Sequence, residues 1–73
     1  MKIETKFLDD VKNIYGEEDA RKVLNAFEYA SKIHEGQVRD SGEEYISHPY
    51  RVAKILVGMH ADIETVLAGM LHD

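Results

Sequence analysis

The chain has 73 residues and no cysteine, which allows at most one small domain with a thin core and excludes both disulfides and thiolate zinc sites as reinforcement. Its formal net charge of −5 excludes a protein that grips nucleic acid through a basic face, so no direct nucleic-acid binding is expected. The first residues lack the apolar core of a signal peptide and no stretch approaches the roughly 20 apolar residues of a membrane span, so the sequence predicts a cytoplasmic protein.

Residues 1–36 are predicted to form two helices. In the leading helix (1–16), apolar residues recur at spacings of three and four, as one side of a helix requires. They are Phe7, Leu8, Val11 and Ile14. Gly16 breaks this helix, and the acidic residues that follow it favour the positive N-terminal end of a second helix. The predicted inward stripe of the second helix is Ala20, Val23, Leu24, Phe27, Ala30 and His34.

A long loop (36–47) is predicted between the second and third helices, because Gly36 ends the second helix and no helical apolar period follows it. Pro49 disfavours helical geometry at His48 and suits the first turn of a new helix, so His48 is expected at the helix entrance. The predicted buried side of the third helix is Val52, Ala53, Ile55, Leu56 and Met59.

The last predicted helix follows Asp62, whose carboxylate suits an N-cap. Its apolar face is Ile63, Val66, Leu67, Met70 and Leu71. Ala68 and Gly69 are small, which would let a neighbouring helix approach closely. No strand pattern is present. The predicted fold class is therefore all-α, with about four helices and one long loop before the third.

His48, His72 and Asp73 are the candidate metal ligands. One helix, one turn and a second helix separate the two histidines, so antiparallel packing of these helices would bring the three residues together. Histidine and carboxylate ligands suit manganese, iron, magnesium or zinc. The alternative is that each histidine caps carbonyl groups or lies in solvent, and the spacing alone does not decide between them. Of the other histidines, His34 is expected to be partly buried and bonded to the loop, and His60 to be exposed at a turn.

Arg39 and Ser41 are the candidate substrate contacts in the loop. A guanidinium group forks onto oxyanions and stacks on aromatic faces, so with an adjacent hydroxyl it suits a phosphate or a purine ring. The alternative, which composition alone favours, is a surface loop in which Arg39 pairs with Asp40 or Glu43.

Three segments in order carry a resemblance to a known family. They are HEGQVRDSGEEYISHP (34–49), VAKIL (52–56) and AGMLHD (68–73). From about Ala26 onwards the chain resembles the N-terminal hydrolase domain of the RelA/SpoT family, a branch of the HD-domain metal-dependent phosphohydrolases. The His72-Asp73 pair alone would be a weak signal, whereas the ordered series of the three segments is specific.

The resemblance implies an all-helical domain that binds one divalent ion, usually manganese, and removes the 3′ pyrophosphate from guanosine tetra- or pentaphosphate, the alarmones of the stringent response. It implies that His48, His72 and Asp73 are metal ligands and that Arg39 and Ser41 hold the guanine nucleotide. The parent protein is expected to be an alarmone hydrolase, of the long bifunctional synthetase-hydrolase kind rather than a small stand-alone hydrolase.

The chain departs from the family pattern at two loop positions. Asp40 stands where a lysine or arginine is common, and Glu44 where proline is usual. The family's Glu-Asp pair, thought to handle the attacking water, and its last aspartate ligand are expected beyond Asp73. Residues 1–73 are therefore expected to be an incomplete part of the domain, with no catalytic residue of their own, no turnover and a divalent ion that is absent or weakly bound.

Two other functions stay open. Asp40 and the incomplete ligand series motivate a degenerate HD module that serves regulation or interaction without hydrolase activity. A different HD phosphohydrolase, acting on deoxynucleotides, is the third hypothesis, against which the Gly-Gln-x-Arg loop argues. The last helix is expected to leave Val66, Met70 and Leu71 uncovered, and such an exposed apolar face predicts self-association.

Overall fold

The structure, a computed structural model, describes residues 1–72, and Asp73 lies outside the described residues. The described chain forms four α-helices: α1 (Thr5–Tyr15), α2 (Glu17–Ile33), α3 (Ser47–Gly58) and α4 (Ile63–Leu71). Helix α1 packs on α2, α3 on α4 and α2 on α4, while α1 also touches α3. No helix within residues 1–72 combines the length and the apolar character needed to cross a membrane. The all-α class and the long loop before the third helix are confirmed.

Glycine separates the first two helices, as predicted. Gly16 has a φ of 98°, a conformation that glycine adopts readily, and its N–H donates to the carbonyl oxygen of Lys12. Helix α2 then begins with three acidic residues in its first turn. It ends at Ile33 rather than at Gly36, which lies in the following turn with a φ of 81°.

Tyr50 lies at the centre of the core. Its ring makes edge contacts with Phe7 and Phe27, at centroid distances of 5.4 Å and 5.1 Å. The Tyr50 hydroxyl donates to a carboxylate oxygen of Glu4 at 3.0 Å and accepts from the Glu4 N–H at 2.9 Å. Burial raises the pKa of Tyr50, and a hydrogen bond from Lys54 is the main reason that the pKa of Glu4 is lowered. The start of α3 is therefore tied to the start of the chain.

The buried stripe of α3 differs from the prediction. Ile55 and Met59 are 58% and 71% exposed, so their predicted burial was wrong. Ala53 is buried as predicted, and the buried stripe runs from Tyr50 through Ala53 to Val57. The aromatic ring of Tyr50 turns the helix so that positions three and seven residues further on face the core, and this rotates Ile55 and Met59 outwards.

Helix α3 also begins earlier than predicted, because His48 already lies within its first turn. The helix starts at Ser47, two residues before Pro49. Backbone N–H groups of a first helical turn have no partner within the helix, so the N–H that Pro49 lacks costs no hydrogen bond there. The Ser47 hydroxyl donates to the carbonyl oxygen of Glu44 at 2.7 Å and secures the entry into the helix.

Asp62 caps α4 as predicted, and its carboxylate accepts from the N–H of Thr65 at 2.7 Å. The expectation that α4 leaves its apolar face uncovered was wrong for Val66 and Met70, whose exposed fractions are 0% and 1%. Helix α2 packs on α4, so these side chains join the core, while Leu71 is 45% exposed. Self-association stays a prediction, but the buried Val66 and Met70 are not available for it.

Candidate metal and nucleotide site

The two histidines predicted as metal ligands lie side by side. The ring centroids of His48 and His72 are 5.4 Å apart and the ring planes meet at 66°. His48 lies half-buried in the first turn of α3, and His72 follows the last residue of α4. The predicted convergence of the start of α3 with the end of α4 is therefore present. His60, in the turn between these helices, is exposed as predicted.

A backbone hydrogen bond fixes the orientation of His72. Its Nδ1 lies 2.5 Å from the carbonyl oxygen of Gly69, one helical turn earlier. A carbonyl oxygen only accepts, so this nitrogen carries the proton, and in a neutral ring Nε2 then carries the lone pair. Metal-binding histidines are commonly oriented in this way by a carbonyl group. The geometry of His72 thus fits a metal ligand.

The predicted ligand set is only partly visible. Asp73, its third member, falls outside the described residues. Within residues 1–72, no three His, Asp or Glu side chains come together in an arrangement that could hold a metal ion. The pair His48 and His72 fits a divalent transition ion in ligand chemistry, since imidazole suits zinc, copper, iron and nickel and is compatible with manganese beside a carboxylate.

Gly69 also allows the close approach of α3 and α4. A Cβ atom at this position would lie 2.7 Å from Leu56 Cδ1 and 3.3 Å from Val52 Cγ1. The first of these distances is shorter than van der Waals contact allows, so only glycine fits without a shift of Leu56. This confirms that the small residue lets α4 approach α3 closely, at Val52 and Leu56.

The predicted binding loop is ordered by its own backbone. Val38 and Glu44 form an isolated antiparallel bridge, although no strand is present within residues 1–72. The N–H of Arg39 donates to the carbonyl oxygen of Glu43, and the N–H of Gly42 donates to that of Arg39, both at 2.8 Å. Gly42 has a φ of 90°, which permits the tight turn at the tip. The loop therefore presents its side chains from a fixed frame.

A stack of three side chains holds Arg39 in this loop. The Arg39 guanidinium lies over the ring of Tyr45, with Cζ 6.0 Å from the centroid. Tyr45 stacks on His34 with centroids 4.7 Å apart, and His34 Nδ1 lies 3.1 Å from Oε1 of Gln37. The structural role predicted for His34 is confirmed. Tyr45 was missed by sequence reasoning, although an aromatic residue in a loop of charged residues is a usable signal.

Arg39 and Ser41 line an open cavity of about 540 Å³, which we call the loop cavity. Its other lining residues are Val38, Asp40, Glu43, Tyr45 and Arg51. The alternative prediction, that Arg39 pairs with Asp40 or Glu43, was wrong within residues 1–72. Glu43 instead accepts from Ser41 Oγ at 3.3 Å and from Arg51 Nη2 at 3.0 Å.

Comparison with known proteins assigns the chain to a family. The family model described as HD domain matches residues 26–73. The chain belongs to the HD-domain family. Its matched part contains the two histidines and the whole loop cavity described above, so the geometry of the site falls within the HD domain.

The HD domain of this chain is similar to those of several named enzymes. The guanosine-3′,5′-bis(diphosphate) 3′-pyrophosphohydrolase of Borreliella burgdorferi is 43% identical over 68 residues, which are 92% of this chain and 10% of that protein. The bifunctional (p)ppGpp synthase/hydrolase SpoT of Escherichia coli is 47% identical over 57 residues, 78% of this chain and 8% of that protein. The pyrophosphohydrolase of Vibrio cholerae is 46% identical over 67 residues, 90% and 10% of the two chains.

These similarities confirm the resemblance to the hydrolase domain of the RelA/SpoT family. The chain spans about a tenth of the length of the curated relatives it matches. The similarity therefore concerns one part of those proteins.

Proposed function

We propose that this chain supplies metal- and nucleotide-binding elements of a guanosine-3′,5′-bis(diphosphate) 3′-pyrophosphohydrolase. Such an alarmone hydrolase acts in the cytoplasm on guanosine tetra- and pentaphosphate, and the parent protein is of the bifunctional synthetase-hydrolase kind. The observation that carries the proposal is the contact between His48 and His72, with ring centroids 5.4 Å apart, beside the loop that holds Arg39 and Ser41. The names of the relatives support the substrate.

His48, His72 and Asp73 would hold the divalent ion, for which we propose manganese. When bound, such an ion lowers the pKa of a water molecule and offsets charge on a phosphoryl oxygen. His72 contributes a ring whose tautomer is set by the Gly69 carbonyl group, and His48 contributes a ring from the first turn of α3. Both side chains thus extend from the ends of helices rather than from a flexible loop, which favours a defined coordination geometry.

Arg39 and Ser41 would bind the guanine nucleotide in the loop cavity. The Arg39 guanidinium is held over Tyr45, so part of the conformational entropy of this long side chain is already lost before the nucleotide arrives. Its planar group can contact a phosphate or stack on the purine. A protein of net charge −5 can thus bind a polyanion through an ion and a few local donors.

A chimeric enzyme tests the proposal. In E. coli SpoT, the 57 residues that match this chain are exchanged for the corresponding residues of this chain, and pyrophosphate release from guanosine tetraphosphate is measured with manganese. We expect the chimera to hydrolyse the alarmone, and His48→Ala to reduce the rate by about 100-fold or more, since even the partners of metal ligands contribute about 10- to 100-fold. His60→Ala, an exposed histidine of the same chain, is the matched control and should leave the rate unchanged.

The chimera also separates the alternative function. Asp40 lines the loop cavity, and a carboxylate there opposes an anionic substrate. A folded chimera that binds guanosine tetraphosphate but does not hydrolyse it would contradict the enzyme proposal and favour the degenerate regulatory module. Hydrolysis of deoxynucleotides in place of the alarmone would favour a different HD phosphohydrolase.

A further inference from the structure

The loop cavity contains a second arginine to which neither the sequence motifs nor the proposed function gives a role. Arg51 lines the cavity together with Arg39 and Tyr45, but it comes from α3 rather than from the loop. Its Nη2 donates to a carboxylate oxygen of Glu43 at 3.0 Å. The cavity thus has one cation on its loop wall and one on its helix wall.

Arg51 also lies close to the histidine pair along α3. It is three residues after His48, and residues at this spacing are neighbours on the surface of a helix, about 5–6 Å apart at Cβ. A ligand that extends from the histidine pair towards the loop cavity therefore passes Arg51. This position suits a phosphate contact between the metal ligands and the nucleotide-binding loop.

The charges around the loop cavity explain why Arg51 pairs with Glu43. Two carboxylates, Asp40 and Glu43, line the cavity with the two arginines, so its formal charge is balanced. Side-chain exposures of 56% for Arg51 and 48% for Glu43 make their ion pair a solvent-exposed one, and such pairs are weak. A phosphate group offers the same guanidinium two parallel hydrogen bonds and more negative charge, so it is the stronger partner.

We propose that Arg51 is a further substrate-binding residue and that Glu43 occupies its guanidinium until a phosphate of the nucleotide replaces the carboxylate. The inference rests on the proposed function, because it takes the anion to be part of a guanosine polyphosphate. Arg51 thereby supplies a cationic contact in place of the lysine or arginine that is common at position 40, where this chain has Asp40. Glu43 thereby becomes a competitor for the substrate site, and Arg51 a determinant of affinity for polyphosphate over uncharged ligands.

The test is calorimetry of guanosine tetraphosphate binding to the 73-residue protein with manganese present. Arg51→Gln should weaken binding about 10-fold, which corresponds to one good charge-assisted contact. Arg51→Lys keeps the charge without the planar fork and should weaken it about 3-fold. Glu43→Gln should strengthen binding about 3-fold, because its amide still accepts from Ser41 but no longer competes as an anion. Arg21→Gln and Glu18→Gln, at exposed positions of α2, are the matched controls and should change nothing.

The opposite signs of Arg51→Gln and Glu43→Gln are the decisive result, since a merely structural ion pair would make both variants weaken binding alike. If both variants weaken binding equally, or if neither changes the affinity, the inference is overturned. The proposed function is not affected by that result. If the unmodified protein does not bind guanosine tetraphosphate, the inference is overturned, whereas the proposed function is decided separately by hydrolysis in the SpoT chimera. Should Arg51→Gln prove unfolded by circular dichroism, Glu43→Gln and Arg51→Lys still decide the matter through their opposite directions.

Discussion

The imidazole ring of His48 meets that of His72 edge to face, with centroids 5.4 Å apart, because the start of α3 and the end of α4 lie together at the open end of the hairpin that the two helices form. The contact joins the first turn of α3 to the end of α4. It is held from both sides by backbone structure, because His48 is part of a helix and His72 is bonded to the Gly69 carbonyl oxygen.

Removal of one histidine should weaken the binding of a divalent ion. In the 73-residue protein, His48→Ala should lower manganese affinity by at least about 10-fold, because loss of a ligand should cost no less than loss of a ligand's partner. Isothermal titration calorimetry measures this directly. His60→Ala removes an exposed histidine from the turn after α3 and should leave the affinity as it is. Equal affinities for all three proteins would remove His48 from the metal site.

Enlargement of Gly69 should displace the side chain of Leu56. In Gly69→Ala, the added methyl group meets Leu56 Cδ1 at 2.7 Å. Overpacking costs about 1–3 kcal/mol, and the gain of alanine over glycine within a helix returns about 1 kcal/mol, so we expect a net loss of up to about 2 kcal/mol in the free energy of unfolding. Urea denaturation measures it.

A double-mutant cycle identifies the cause of that loss. Leu56→Ala removes the atom that the new methyl group meets, so in this background Gly69→Ala should stabilise the protein by up to about 1 kcal/mol, the gain of alanine over glycine within a helix. An unchanged cost would mean that the added methyl group is opposed by Val52 Cγ1, its other neighbour at 3.3 Å, instead of by Leu56.

Removal of the Tyr45 ring should loosen the binding loop. Tyr45 lies between His34 and Arg39, and the two contacts are worth about 0.5–1.5 kcal/mol for the aromatic pair and about 0.5–1 kcal/mol for the cation over the ring. Tyr45→Ala should therefore speed hydrogen exchange at the N–H of Gly42 and weaken guanosine tetraphosphate binding about 3- to 10-fold. Tyr45→Phe keeps the ring and is the control. If both variants weaken binding equally, the hydroxyl rather than the ring is responsible.

Acid should destabilise the protein in part through the cap of α4. The hydrogen bond from Thr65 lowers the pKa of Asp62, so the ionised cap stabilises the fold above the ordinary aspartate pKa of about 3.9, and this contribution is lost as the pH falls through the lowered value. Thermal unfolding midpoints measured between about pH 7 and pH 3 should fall less steeply for Asp62→Asn, because asparagine caps well but does not titrate.

A second carboxylate keeps the unfolding midpoint of Asp62→Asn dependent on pH. The pKa of Glu4 is also lowered, chiefly by its hydrogen bond with Lys54, and its contribution disappears in the same direction. Asp62→Ala, which loses the cap at every pH, should lower the midpoint throughout. A profile for Asp62→Asn as steep as that of the unmodified protein would contradict the role of Asp62 in acid sensitivity.

Sequence reasoning succeeded where local rules decide the structure. Gly16 as a breaker, Asp62 as a cap and Gly69 as a point of close approach each depend on one residue and its immediate helix. The meeting of His48 with His72 was also predictable, because two helices joined by a short turn have few ways to pack.

The remaining features depend on contacts between distant parts of the chain. The inward stripe of α3 was misplaced because Tyr50, which the predicted stripe did not include, is anchored by Phe7 and Phe27. The pairing of Arg51 with Glu43 crosses from a helix to a loop, where no periodicity relates the two positions. Such contacts follow from tertiary packing, which a pattern within one element does not encode.

The hydrogen bonds between Glu4 and Tyr50 join residues 46 positions apart, and Tyr50 stands two residues after His48. Closing so long a stretch of chain has an entropic cost that must be met before the contact becomes favourable. The first turn of α3 is therefore expected to reach its final position late in folding, after α1 and α2 have paired. A metal ion that requires His48 would then bind only after the helices have assembled. The measured metal affinity would therefore depend on the folding equilibrium of the whole chain.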